Sequence, residues 1–146
     1  MTNFPEYIEC DITMVSIESS ASRQNVMLRI VDHQGEGHHL LAESVGYFSL
    51  ETMRLRNIVE TVSLYDSVDF HENTSEVEEK IFYLLQGRQP EDKDRGVLFN
   101  VVSKLMNDIA HGRKVLLEIV SLYGADLLLL AEKVSIIKPD SRPIES

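Results

Sequence analysis

The chain has 146 residues, a formal net charge of −10, 43% hydrophobic side chains and one cysteine. That length suits one domain burying roughly two-thirds of its unfolded surface, and the hydrophobic fraction excludes wholesale disorder. The longest apolar run, Leu127–Ala131, falls far short of the ~20 residues that span a bilayer. M-T-N-F-P-E-Y has no basic segment and no apolar stretch of a signal peptide, and Cys10 has no intramolecular disulfide partner, so a reducing, cytoplasmic setting is expected. Residues 1–73 carry 12 acids and 4 bases, and residues 74–146 carry 12 and 10. The acidic first half repels phosphate backbones and anionic membranes and attracts basic partners.

In Glu6–Ser19, Ile8, Cys10, Ile12 and Met14 alternate with polar residues, which predicts a half-buried strand; the apolar side changes face at Val15 and Ile17. Ser19–Ser22 is a turn. Val26–Asp32 and His38–Phe48 read as a hairpin, because Gln34-Gly35-Glu36-Gly37 is poor for helix and good for positive φ. Ser49 is a candidate N-cap for a helix to about Tyr65, on the spacing of Leu50, Met53, Ile58, Val62 and Tyr65. The β-branched Ile58, Val59, Thr61 and Val62 offer a strand as rival. Ser75–Glu78 has the form of a capping box before a short helix ended by Gly87, and Gln86–Arg95 is the most polar stretch, a candidate surface loop.

Beyond Gly96 two patterns compete. Residues from Phe99 to Ile137 follow a 3–4 spacing that suits a long helix and coiled-coil dimerisation. The rival is strand Val97–Val102, helix Ser103–Ala110, strand Lys114–Leu122 and strand Leu127–Ile137. An internal match favours the second. Val26–Val45 and Val115–Val134 align without a gap, with ten of twenty positions identical, including Gly35/Gly124 and Leu40-Leu41-Ala42-Glu43/Leu129-Leu130-Ala131-Glu132. Since the first copy cannot easily be helical, the second is expected to be a hairpin too. The expected fold is α+β in a single domain, 1–146. It comprises an N-terminal antiparallel three-stranded meander, a mostly helical or loop insert over 48–95, a C-terminal strand–helix–hairpin, and a flexible tail at 139–146. The alternative is a β-meander followed by long C-terminal helices.

That element order is weakly similar to a partly open OB barrel. The segment beginning at Arg95, R-G-V-L-F-N-V-V-S-K-L-M-N-D-I-A-H-G-R-K-V-L-L-E-I, resembles the strand–helix–turn–strand region of bacterial single-stranded DNA-binding proteins. The resemblance covers about forty residues. The N-terminal half does not follow that family's pattern, and the ending K-P-D-S-R-P-I-E-S lacks its acidic tip with a final aromatic. The resemblance implies an oligonucleotide surface drawn from Lys93, Arg95, Phe99, Arg113, Lys114 and Tyr123, with basic groups meeting phosphates and rings stacking on bases. Against it, both aromatics occupy apolar patterns that suit a core.

His33, His38 and His39 surround the first hairpin turn beside Asp32 and Glu36, and are the candidate metal ligands. Their spacing matches no standard site, and adjacent His38 and His39 should point to opposite sheet faces. Cys10 reads as a buried, inert thiol. The nucleophile-elbow, phosphate-loop, dinucleotide and zinc-protease motifs are missing. The expectation is a non-enzymatic protein, needing no cofactor, that binds another protein through an acidic surface, with homodimerisation possible. An OB-like oligonucleotide-binding domain is the alternative, and a small metal-dependent enzyme a minor one.

Overall fold

A computed structural model describes residues 1–20, 22–68, 70–88, 91 and 99–139, with the Phe99 side chain left out. The described residues form nine antiparallel strands and two α-helices. In chain order these are β1 (Thr2–Asn3), β2 (Asp11–Ser20), β3 (Arg23–Val31), β4 (Gly37–Glu43), β5 (Tyr47–Glu51), β6 (Ile58–Tyr65), α1 (Thr74–Gln86), α2 (Phe99–Ala110), β7 (Val115–Tyr123), β8 (Asp126–Ala131) and β9 (Lys133–Ile137). The sheet order is β5-β8-β7-β6-β2-β3-β4-β9, with β1 beside β6. Only residues 44–46 separate β4 from β5, and only Glu132 separates β8 from β9. Consecutive β4 and β5 therefore run along consecutive β9 and β8 as one nearly continuous antiparallel pair, and the sheet closes into a barrel. The seam between β2 and β6 is short: Asp11 faces Ile58, and backbone bonds link Ile12 to Asn57 and Cys10 to Val59.

The expected meander–insert–hairpin arrangement is thus corrected to a mostly β barrel. Residues 49–65 are not helical: they supply β5 and β6. Tyr47–Glu51 pairs with Asp126–Leu130, and Ile58–Tyr65 pairs with Leu116–Tyr123. Long-range pairing there favours the β-branched residues over the helical spacing. The expected strand Val97–Val102 falls in part outside the described residues, and from Phe99 it is α2. The long C-terminal helix is overturned as well, since α2 ends at Ala110 and β7 begins at Val115. The helix expected from the Ser75 box begins at Thr74, and Gly87 ends it at φ 72° with its N–H donated to the Tyr83 carbonyl. Most of the expected loop Gln86–Arg95, and of the tail beyond Pro139, lies outside the described residues.

Both matched windows are hairpins, and their registers coincide. Val26 faces Ala42, Leu28 faces Leu40 and Ile30 faces His38; correspondingly Val115 faces Ala131, Leu117 faces Leu129 and Ile119 faces Leu127. Gly35 and Gly124 sit between the paired strands at φ 81° and 92°. The shared register sends the same positions inward. Leu28, Ile30 and Leu40 meet Leu117, Ile119 and Leu129 in the barrel interior, with Tyr7 from the 3-10 turn Pro5–Tyr7 among them. The outer faces differ. On β7–β8, Leu116, Leu128 and Leu130 form a second core with Val77 and Ile81 of α1 and Val102, Leu105 and Ile109 of α2. The counterparts on β3–β4, Met27, His39 and Leu41, are half-buried. A bulge between Ile12 and Met14 accounts for the change of face along β2. Among the described residues, no helix is long and apolar enough to cross a membrane.

Candidate functional site

Where α1 crosses the outer face of the sheet, a cleft of about 240 Å³ opens between it and β5, β7 and β8. Glu51 ends β5, Glu79, Lys80 and Tyr83 come from α1, Glu118 from the middle of β7, and Asp126 from the start of β8. Val120 and Leu128 supply apolar floor. Helical spacing places Glu79 and Tyr83 one turn apart on one face of α1, and strand alternation turns Glu118 outward between the inward Leu117 and Ile119.

The polar groups are wired together. Lys80 Nζ lies 3.0 Å from Glu118 Oε2 and 3.9 Å from a Glu76 carboxylate oxygen, and 5.9 Å from the centre of the Tyr65 ring. The Tyr83 hydroxyl donates to Glu51 Oε1. That acceptor holds the Tyr83 phenol above its ordinary value, with the charge of Asp126 adding to the effect. Asp126 Oδ1 accepts the Ser121 N–H at 2.8 Å. Glu79 is exposed and has no ion-pair partner among the described residues. Four lining carboxylates against one lining ammonium leave a formal charge of −3. Such a cleft, with one low-dielectric wall, focuses its field outward onto cations.

The expected site residues fall elsewhere. His38 faces the interior side opposite Ile30, and His39, one residue on, faces out opposite Arg29. His33 Nε2 lies 3.2 Å from the Ile8 carbonyl. The three histidines do not converge, and no three His, Cys, Asp or Glu among the described residues stand as a metal-holding group. Lys93 and Arg95 lie outside the described residues, and Phe99 opens α2. Arg113 Nε lies 2.8 Å from Asp108 Oδ1, and Lys114 Nζ lies 3.9 Å from Oδ2 of the same carboxylate. Tyr123 is exposed at the far end of β7, roughly 30 Å along the strand from Lys114 at ~3.4 Å per residue. Arg113 and Lys114 are therefore not brought together with Tyr123.

His38 has a structural part. Its Nε2 is 2.8 Å from Asp32 Oδ2 and its Nδ1 is 3.3 Å from the Tyr7 hydroxyl. A carboxylate only accepts, so the neutral imidazole satisfying both bonds carries its proton on Nε2. The bond from His38, reinforced by the Glu36 and Gln34 N–H groups, holds the Asp32 carboxyl below its usual range. Burial, with nearby negative charge, pushes Tyr7 up to about 12, and burial raises the Cys10 thiol. A carboxyl depressed on folding stabilises the fold above its unfolded value, ~3.9, and that stability is lost as pH falls through the folded value. Asp32→Asn should therefore flatten the acid limb: between about pH 5 and pH 2 the urea midpoint of the wild type should fall further than that of the variant. Equal falls would remove Asp32 from the acid response.

The cleft carboxylates come from four separated segments, so no local pattern in the sequence groups them. One signal existed: across the matched windows, Glu118 stands where Arg29 stands and Asp126 where Gly37 stands. Comparison with protein-family models, curated proteins and solved structures finds no match.

Proposed function

We propose that the chain is a non-enzymatic binding module whose acidic cleft receives basic side chains of a partner protein. The observation that carries this is the convergence of Glu51, Glu79, Glu118 and Asp126 on one cleft. Its volume, about 240 Å³, lies below the roughly 300–1,000 Å³ of clefts that enclose a whole small ligand. It suits one long side chain. The aliphatic stem of a lysine or arginine can lie on Val120 and Leu128 while its head meets Glu79 and Glu51. The barrel interior is filled by buried apolar side chains, which leaves the outside of the sheet for binding.

An Arg- and Lys-rich peptide should bind the purified chain in calorimetry, with affinity falling as salt is raised. Glu51→Gln with Glu79→Gln should weaken it about tenfold, equivalent to ~1.4 kcal/mol, which is in range for two partly exposed charge pairs. Unchanged affinity in the double variant, or no binding at low salt, would overturn the proposal.

A further inference from the structure

Beside the acidic cleft stands a surface of opposite character. After Glu51 the chain passes Thr52, a β-branched residue at φ 62°, and runs through Met53, Arg54, Leu55 and Arg56, bending at Leu55, before β6. A left-handed β-branched residue persists only where its surroundings enforce it. Two residues beyond it the loop is held by Asn57, which is fully buried. Its Oδ1 accepts the N–H groups of Arg54 and Ala125, each at 2.9 Å. Its Nδ2 donates to the carbonyls of Arg54 and Ile12 at 2.8 and 3.2 Å. The loop is thereby fastened to both the β7–β8 turn and the start of β2.

What this fixed loop presents is apolar and basic. Leu55 is 102% exposed, and Met53 in the same loop is exposed as well. The Arg54 guanidinium lies 5.2 Å from the centre of the Tyr123 ring, and Arg56 is exposed, 3.5 Å from Asp11. On a chain of charge −10, two arginines framing a fully exposed leucine form a patch opposite in sign to the cleft next to it. The two share an edge, since Glu51 lines the cleft and Thr52 begins the loop. A basic patch beside an acidic one lets two copies face each other about a twofold axis, each patch against its opposite.

We propose that two copies of this chain pair about such an axis, each laying its Met53–Arg56 loop across the mouth of the other's acidic cleft, with one arginine side chain entering it. The proposal rests on the reading of the cleft as a receptor for basic side chains and names its partner. Arg54 and Arg56 of one copy meet Glu51, Glu79 and Asp126 of the second, and Leu55 is covered by the junction. Each contact occurs twice, so modest charge pairs act in concert, and salt weakens all of them together.

The test is sedimentation equilibrium on the full chain. At low salt and high concentration the wild type should approach twice 16.6 kDa, and it should fall to 16.6 kDa in high salt. Leu55→Ser, a change at a fully exposed position, should weaken association about tenfold or more. Arg54→Glu with Arg56→Glu should be monomeric, and so should Glu51→Lys with Glu79→Lys. An equimolar mixture of these two double variants should regain the dimer mass, because the acidic variant loop then meets the basic variant cleft while the unaltered loop meets the unaltered cleft. A wild type that stays at 16.6 kDa throughout, or a mixture that stays monomeric, would overturn the dimer. If that monomer still binds the basic peptide through Glu51 and Glu79, the cleft proposal stands alone; if it binds no peptide, both fall.

Discussion

Gly124→Ala should destabilise the chain by about 3–5 kcal/mol, whereas Gly35→Ala, at the matching position of the first hairpin, should cost about 1–2 kcal/mol. Both glycines have positive φ, so both substitutions pay the same conformational penalty. Their surroundings differ. A Cβ at 35 meets nothing within 4 Å, while one at 124 would stand 2.4 Å from Asn57 Oδ1, 2.8 Å from the Arg56 carbonyl and 2.9 Å from Asn57 Cα. Two of those atoms are backbone, and the third ends a side chain held by hydrogen bonds. Asn57 is buried with both amide groups engaged, and pushing it aside leaves the Ala125 and Arg54 N–H groups without their acceptor. The buried Ala125 N–H so orphaned costs about 1–3 kcal/mol, and the part-buried Arg54 N–H less. Urea unfolding of the two variants measures the difference. Equal losses would mean that the contact between the β7–β8 turn and the Asn57 loop is not held in solution.

The second large effect separates the two hairpins by their outer faces. Leu116→Ala should cost about 3 kcal/mol, and Met27→Ala about 1 kcal/mol, although the two occupy the same position of the repeat. Leu116 is fully buried beneath the helices, so truncation leaves a cavity in a packed layer. Met27 is half-buried, and water fills what it vacates. Leu28→Ala and Leu117→Ala, their inward neighbours, should each cost about 3 kcal/mol, since both face the same interior. A Met27 loss as large as that of Leu116 would show that the outer face of β3–β4 is covered in solution.

The hairpins were legible because their signals are local. Gly35 and Gly124 sit where L side chains are strained, and the inward positions repeat in both windows. The segments between were not. Leu50, Met53, Ile58, Val62 and Tyr65 have helical spacing, yet Val59, Val62 and Tyr65 are buried from a strand whose partners lie 51–65 residues further along the chain, at Leu116–Tyr123. In α2 the reverse holds: Val102, Leu105 and Ile109 are a helical stripe that the β-branched Val101 and Val102 obscured. Closure of the barrel depends on Asp11 meeting Ile58, which no local pattern announces. The cleft inherits that difficulty, since Glu51, Glu79, Glu118 and Asp126 become neighbours only once α1 lies across the closed sheet. The Met53–Arg56 loop was hidden differently: Leu55 reads as an ordinary apolar residue, and only the fold leaves it wholly exposed.

The most direct measurement is an amide chemical-shift titration of the full chain with the basic peptide at low salt. Saturable shifts should concentrate at Glu51, Glu79, Lys80, Tyr83, Glu118 and Asp126, and they should vanish when salt is raised or when Glu51 and Glu79 are both replaced by glutamine. Shifts gathered instead on the outer face of β3–β4, or spread over every acidic residue without saturation, would contradict the acidic cleft as the binding site.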